Sequence, residues 1–349
     1  MPCAVSTHKI TAMALSSKRI AAIAETADHA FVTLYNVEKR KKINTLKMPD
    51  CETIVSAAFS PDGKYLLTQG GAPTWSIVCW SVEKGKPVAN TVTNTDAYKQ
   101  IANVSFHPED SDVFCVSGNG VLKFFRIGDN TIKMISNGLH KREPQNFKSH
   151  TFLTKGSLIA STGTGELILF KNFEWSRAVE SSDQDDGVSI DCVLACSKGF
   201  LAGCSEGTLR LYSLHSEDRG GVYKCDTAFH IKSNSSRIVS LAISPSEDNV
   251  LCGTENAQLF TLCLSNSDIM KADDMDFEHP LTPFHGPDSE GALRIHGLDV
   301  CARKRLAVTC AADCYLRVWN FEDNIVEVQR RLDEPPVCLS VHPSGLHVR

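Results

Sequence analysis

A chain of 349 residues with 42% hydrophobic and 22% charged side chains has the composition of a folded globular protein and ample length for a buried core. Its formal charge of −5 argues against nucleic acid or an anionic membrane as the main partner. No apolar run approaches the roughly 18 residues that cross a bilayer, and Met1-Pro-Cys-Ala-Val-Ser6 lacks the charged-then-apolar pattern of a leader, so neither a membrane span nor a secretory signal is expected.

In chain order, the first unit has four short apolar runs, Ile10–Leu15, Arg19–Glu25, Phe31–Val37 and Ile43–Met48, separated by turn-type residues. The second opens with Ile54–Phe59 and the turn Ser60-Pro-Asp-Gly63, with Pro and Gly where a β-turn favours them. Lys64–Thr68, a longer loop Gln69–Trp75, Ile77–Val82 and Pro87–Thr93 follow. The third repeats the plan with Ile101–Phe106, Val113–Ser117, Val121–Ile127 and Thr131–Ser136; its Asn119-Gly120 pair suits a type I′ hairpin. The fourth carries Leu158–Thr162 and Leu167–Lys171 after a start near Phe147. The fifth carries Val188–Ala195, Phe200–Cys204, Leu209–Leu214 and Val222–Phe229. In the sixth, Ile238–Ile243, Val250–Thr254 and Leu259–Leu264 precede two insertions, 266–278 and 286–292. The seventh has Ile295–Val300, Leu306–Cys310, Tyr315–Phe321 and Ile325–Leu332. An eighth then starts at Pro336 and reaches the turn His342-Pro-Ser-Gly345.

These units share a marker at the end of the third run, most distinct in Asp313-Cys-Tyr-Leu-Arg-Val-Trp-Asn320. Tyr35, Trp80, Phe125, Phe170, Tyr212, Leu262 and Trp319 hold that place, at intervals of 45, 45, 45, 42, 50 and 57 residues. A period of 40–45 with a Trp-Asp-like strand end is the signature of four-stranded propeller blades, and no segment sustains a helical pattern. The expected fold is therefore all-β, a WD40-type β-propeller of about seven four-stranded blades over residues 1–335. Residues 336–349 are either the first strand of a following blade or the strand that closes the ring, and an incompletely closed ring is the alternative.

Stacking hides each sheet between its neighbours, so the marker is expected to fill the wedge between blades, with Asp313 shaping its turn. Trp319→Ala should then cost about 3–5 kcal/mol if the ring is buried, and the smaller Leu262 predicts looser packing.

The sequence offers little catalytic chemistry. Most of the fourteen cysteines lie in apolar strand runs, as Cys79, Cys115, Cys204, Cys252, Cys263 and Cys310 do, where a thiol packs as a small hydrophobe. No Cys-x-x-Cys pair occurs, and the pairs Cys192/Cys196 and Cys310/Cys314 have no second ligand pair at zinc spacing, so reduced core thiols in a cytoplasmic protein are expected. Gly118-Asn-Gly120 and Thr162-Gly-Thr-Gly165 join strand to strand, with no helix to offer amides to a phosphate. The twelve histidines are scattered, each reading as a turn or surface residue, and no Gly-x-Ser-x-Gly elbow occurs. Neither cofactor nor metal is expected, and the chain reads as a non-enzyme.

Two features could serve a partner. Lys39, Arg40, Lys41 and Lys42 form a basic run in a hairpin turn. Such runs are usually solvated faces, and the sharper reading is docking to an acidic surface such as tubulin's. Trp75, after Gly-Gly-Ala-Pro, is either an exposed aromatic anchor or a side chain folded over its own blade; Trp175 carries the same two readings. The acidic loop 181–186 reads as a solvated face.

The blade motifs, including Phe59-Ser-Pro-Asp-Gly-Lys-Tyr-Leu-Leu67 and Leu316-Arg-Val-Trp-Asn-Phe321, mark the WD40 superfamily. Asn103-Val-Ser-Phe-His-Pro108, Val116-Ser-Gly-Asn-Gly-Val-Leu-Lys123, Arg142-Glu-Pro-Gln-Asn-Phe147 and Ser149-His-Thr151 are more specific. With them the chain resembles the N-terminal propeller of the cilia- and flagella-associated protein 57 family of axonemal WD-repeat proteins. The resemblance implies a cytoskeletal, non-enzymatic scaffold in a cilium or flagellum. Its implied partners are inner dynein arm or regulatory-complex proteins, tubulin among the candidates. Family members look like tandem propellers followed by coiled coils; against that pattern the resemblance implies that these 349 residues start after the family's first blade and correspond to neither the second propeller nor the coiled coil. The Gly-His dipeptide is missing from most blades, so the His-Asp-Ser-Trp tetrad of well-formed WD repeats is not expected; Asp313 and Trp319 match its positions. A WD-repeat adaptor outside cilia, such as a ubiquitin-ligase substrate receptor, is the other reading.

Overall fold

Alternating apolar runs punctuated by Gly, Pro, Asn and Asp close into antiparallel meanders. The computed structural model describes residues 9–49, 51–96, 99–140, 142–153, 156–179, 188–216, 222–231, 237–255, 259–264, 295–301, 303–320, 325–342 and 344–348. Among them there are strands and turns but no α-helix. Sheet 1 comprises Ile10–Leu15, Ile20–Glu25, Phe31–Asn36 and Lys41–Lys47, and sheet 2 comprises Ile54–Phe59, Tyr65–Gly70, Ser76–Ser81 and Lys86–Val92. Sheet 3 comprises Ile101–Phe106, Val113–Gly118, Val121–Gly128 and Thr131–Asn137, and sheet 4 comprises Phe147–Phe152, Leu158–Thr162, Leu167–Lys171 and Glu174–Val179. Sheet 5 comprises Ile190–Cys196, Gly199–Cys204, Thr208–Ser216 and Val222–His230. Sheet 6 has Ile238–Ile243, Asn249–Thr254 and Leu259–Cys263, and sheet 7 has Ile295–Cys301, Leu306–Ala311, Tyr315–Asn320 and Ile325–Arg331. Every strand pairs with its sequence neighbour. The insertions 266–278 and 286–292 and the acidic loop 181–186 lie outside the described residues.

Two β-bulges recur with the repeat. In all seven sheets the pairing of the first strand skips one residue: Thr11, Val55, Ala102, Lys148, Asp191, Val239 and His296. In sheets 1 to 4 and 7 the fourth strand skips one residue opposite the marker. Register shifts immediately before Tyr35, Trp80, Phe125, Phe170 and Trp319, leaving Ile43, Val88, Ile135, Ser176 and Glu327 unpaired in the count. An extra residue bends and twists a strand, so the marker stands where the outer strand turns.

The described residues fall into two compact units. The first, Met1–Cys204 with Arg210–Ala228, has an apolar cluster between each consecutive pair of its sheets. Ala24, Val32 and Leu34 of sheet 1 meet Ile54, Val78 and Trp80 of sheet 2. Ile77 and Cys79 meet Phe114 and Phe125, Cys115 and Leu122 meet Phe147 and Phe170, and Ile159 and Leu169 meet Phe200 and Tyr212. The marker of each sheet thus packs against the preceding sheet. Tyr35 has no such cover: it is half-buried, and Met13 and Leu15 on its face are 68% and 70% exposed.

The second unit, Ser205–Leu209 with Phe229–Arg349, buries Leu262 fully. Trp319 departs from the expectation of a buried ring. It is half-buried, because Leu298 and Val300 on its face are themselves exposed and leave the indole flank open. Its Nε1 still donates to Thr309 Oγ1 at 2.7 Å. At the turn before the third strand the Asp313 carboxylate accepts from Tyr315 N at 3.1 Å and from the buried Arg317 guanidinium at 2.9 Å.

Candidate functional site

Antiparallel order places the turn after the first strand and the turn after the third strand at the same sheet edge. In sheet 1 Val37 N donates to Arg19 O at 3.0 Å, and in sheet 2 Val82 N donates to Lys64 O at 2.9 Å, tying the two turns of each sheet together. The turns also touch across sheets: Ser17 Oγ donates to Pro61 O at 3.1 Å, Lys18 lies against Gly63, and Asn44 lies against Gly85. This continuous edge exposes Lys18, Arg19, Lys39, Arg40, Lys41, Lys42, Lys64, Lys84 and Lys86. Only three carboxylates stand among these nine cations: Glu38, paired with Arg19, Asp62, paired with Lys64 at 3.1 Å, and Glu83. Burial would raise the Asp62 carboxyl, but hydrogen bonds from Ser60 Oγ and Lys64 N and the Lys64 ammonium hold it at about 2. The edge is thus strongly positive on a chain whose formal charge is −5.

The expected basic turn is therefore half strand. Lys39 and Arg40 form the turn, with Lys39 N donating to Asn36 Oδ1 at 2.7 Å and Arg40 at φ 49°, while Lys41 and Lys42 begin the fourth strand. Sequence reading found this run but not Lys18, Lys64, Lys84 and Lys86, which join it only once the sheets stack. On the same edge of sheet 3 the sign reverses, with Glu109, Asp110, Asp112 and Asp129 beside an Arg126 that is paired to Asp110 at 3.0 Å.

Trp75 is not an exposed anchor. Gly71 N donates to Thr53 O at 2.9 Å and Trp75 N to Gly71 O at 3.0 Å, folding the loop back so that the indole packs among Ile77, Ile101 and Phe106 at 5% exposure. The ring thus lies between its own sheet, at Ile77, and the first strand of sheet 3. Trp175 is half-buried against Phe170, with the Arg142 guanidinium 4.6 Å from its ring centre.

One buried polar cluster escaped the sequence, where His150 reads as a turn or surface residue. His150, on the first strand of sheet 4, is 3% exposed. Its Nε2 is hydrogen-bonded to Ser105 Oγ at 2.7 Å and its Nδ1 to Ser117 Oγ at 2.6 Å, both on sheet 3. Burial lowers its pKa to about 3. Neighbouring ties repeat the theme: Val104 N donates to Ser56 Oγ at 3.1 Å and Val193 N to Ser149 Oγ at 3.3 Å, each serine following the bulge of its first strand. The segment before His150 is a strap: Gly120 N donates to Gln145 O at 2.8 Å and Gly163 N to Asn146 O at 2.9 Å, fastening sheet 3 to sheet 4. The alternation of Ser149-His150-Thr151 inside a strand was the one available signal that this histidine faces inward. Chemically the cluster holds sheets together; each ring nitrogen and each hydroxyl is satisfied by its partner.

A shallow cleft of about 770 Å³ opens at the opposite edge of sheets 1 and 2, lined by Thr26, Asp28, His29, Lys47, Glu52 and Thr53. Among the described residues no three His, Cys, Asp or Glu side chains converge as metal ligands, and no helix is long and apolar enough to cross a membrane.

No model of a known protein family matches the chain. It is 28% identical over 97% of its length to cilia- and flagella-associated protein 57 of Mus musculus, and covers 31% of that protein. It is 28% identical over 89% of its length to cilia- and flagella-associated protein 57 A of Tetrahymena thermophila, and covers 24% of it. The chain therefore spans less than a third of the curated relatives it matches. Among solved structures, the Cps50 (Swd1) β-propeller domain of Myceliophteria thermophila aligns over 90% of this chain and 98% of that one, with a TM-score of 0.63 and 13% identity. The fold is that of a WD40-type β-propeller, and the chain is similar in sequence to cilia- and flagella-associated protein 57.

Proposed function

We propose that this WD-repeat chain is a non-catalytic protein-interaction scaffold of motile cilia or flagella, working at the axoneme where inner dynein arms and their regulatory complexes assemble. The observation that carries the reading is the similarity to relatives named for cilia and flagella across 97% of the chain. Two further observations support a scaffold: the buried polar side chains around His150 are spent on ties between sheets, and the basic edge offers an exposed surface with little chemistry beyond charge. Lys39, Arg40, Lys41 and Lys42 are the proposed partner contacts, with axonemal proteins including tubulin as candidates. Residues 1–335 are proposed as one propeller and 336–349 as the opening of a further blade. In support of the last point, the His342 turn repeats the bonds of the Ser60 turn. His342 N donates to His347 O at 2.9 Å and Gly345 N to His342 O at 2.8 Å, as Ser60 N does to Tyr65 O and Gly63 N to Ser60 O.

Affinity purification of the tagged, natively expressed protein from flagellated cells tests this. Inner-arm or regulatory-complex proteins are expected to co-purify. Recovery of ubiquitin-ligase subunits in their place would transfer the protein to the non-ciliary adaptor class.

A further inference from the structure

We infer that the basic edge of sheets 1 and 2 captures a short, extended, glutamate- or aspartate-rich segment of a partner protein. The inference rests on the scaffold reading above and names the chemistry of its ligand. Charge comes first: nine exposed cations face three carboxylates on this edge, two of which already have cationic partners. Size comes next. Two stacked sheets are separated by about 10 Å and an extended chain advances about 3.3 Å per residue, so about three residues reach from one sheet to the next. Beyond it the edge of sheet 3 carries Glu109, Asp110 and Asp112, which would repel a longer polyanion. Duplex nucleic acid, with one charge per ~1.7 Å along its axis, would run into that repulsive neighbour. The cation type agrees. Seven of the nine are lysines, mobile point charges that adapt to a flexible carboxylate-bearing segment, and Arg19 is already engaged by Glu38.

The docking surface is also held in shape without the ligand. The four turns are joined by the Arg19–Val37, Lys64–Val82 and Ser17–Pro61 hydrogen bonds, so binding orders side chains and leaves the backbone as it is.

The test uses the full chain and a fluorescein-labelled peptide of five consecutive glutamates, read by fluorescence anisotropy. Binding is expected at low ionic strength, weakening at least tenfold between about 50 and 200 mM salt, as counterion release requires when several charges are neutralised. The triple variant Lys39→Glu, Lys41→Glu, Lys42→Glu should lose binding at least tenfold. A control with Lys133→Glu and Lys198→Glu, exposed lysines on other sheets, should keep it. The inference is overturned if the triple variant binds as the parent does, or if the peptide does not bind. It is equally overturned if a single-stranded DNA of ten nucleotides, or vesicles with 30% phosphatidylserine, binds more tightly than the peptide. A protein that co-purifies with axonemal components yet ignores the peptide loses only this inference. One that binds the peptide but is absent from axonemal complexes loses the ciliary reading instead.

Discussion

Lowering the pH is expected to destabilise the protein through His150. The ring is buried at 3% exposure with both nitrogens hydrogen-bonded to serine hydroxyls, which accept or donate equally well. The hydrogen bonds therefore hold either charge state, and desolvation alone lowers the pKa from 6.5 to about 3. The unfolded chain then binds the proton first. Stability is flat above pH 6.5 and falls as pH drops from 6.5 toward 3, by about 1.4 kcal/mol per unit once titration is under way. Between pH 7.5 and pH 5 the loss is about 2 kcal/mol, a sizeable part of the 5–15 kcal/mol typical of a domain. Urea midpoints measured across that range for the parent and for His150→Gln isolate the contribution, because the other titrating groups remain in both. The parent curve should fall away more steeply, and the His150 ring protons should show no titration above pH 5 in a proton NMR series. Parallel urea curves, or a ring that titrates near 6.5, would refute the reasoning.

Three other outcomes follow from packing. Trp80, at 5% exposure, donates from Nε1 to the fully buried Thr68 Oγ1 at 2.8 Å. Trp80→Ala should cost about 3–5 kcal/mol in chemical denaturation, and the half-buried Trp319→Ala about half as much. A double-mutant cycle of Trp80→Phe with Thr68→Val should return a coupling of about 1 kcal/mol, and zero coupling would show the hydrogen bond to be idle. At Gly118 an added methyl would stand 2.0 Å from Gln100 O and 2.7 Å from Ile101 Cα, both backbone, so Gly118→Ala should lower stability by about 3 kcal/mol or more. An unchanged midpoint would mean the first strand of sheet 3 is placed wrongly. Burial drives the Cys79 and Cys252 thiols up to about 12 and raises the Cys115 thiol as well. Iodoacetamide at pH 8 should therefore label the exposed Cys338 while sparing these three, as read by mass spectrometry of the native protein.

How much could be read from the residues divides along the range of the interaction. The repeat was legible because its cues are local: Ser60-Pro-Asp-Gly63 and Asn119-Gly120 write their own turns, and the marker recurs where the outer strand bulges. The packing role of Trp80, Phe125, Phe170 and Tyr212 followed from that register. Long-range placement was not legible. Trp75 is drawn inward by the backbone hydrogen bond from Gly71 N to Thr53 O, which nothing in Gly-Gly-Ala-Pro-Thr-Trp announces. His150 finds its serines 33 and 45 residues back, one repeat away, so the ties look like scatter until the sheets are stacked. The segment Arg142–Thr151 stood out as the least blade-like, and its structural role is a strap plus an inward histidine. The basic edge is intermediate: its run was visible, and the separated lysines needed the stack to join it.

The proposed service at the axoneme is tested by where the protein sits in the cell. A fluorescent tag at the native locus of a flagellated cell, imaged after detergent extraction of the membranes, should decorate the axoneme and remain there. Signal lost to the detergent-soluble fraction, or diffuse through the cell body with bare axonemes, would contradict the account.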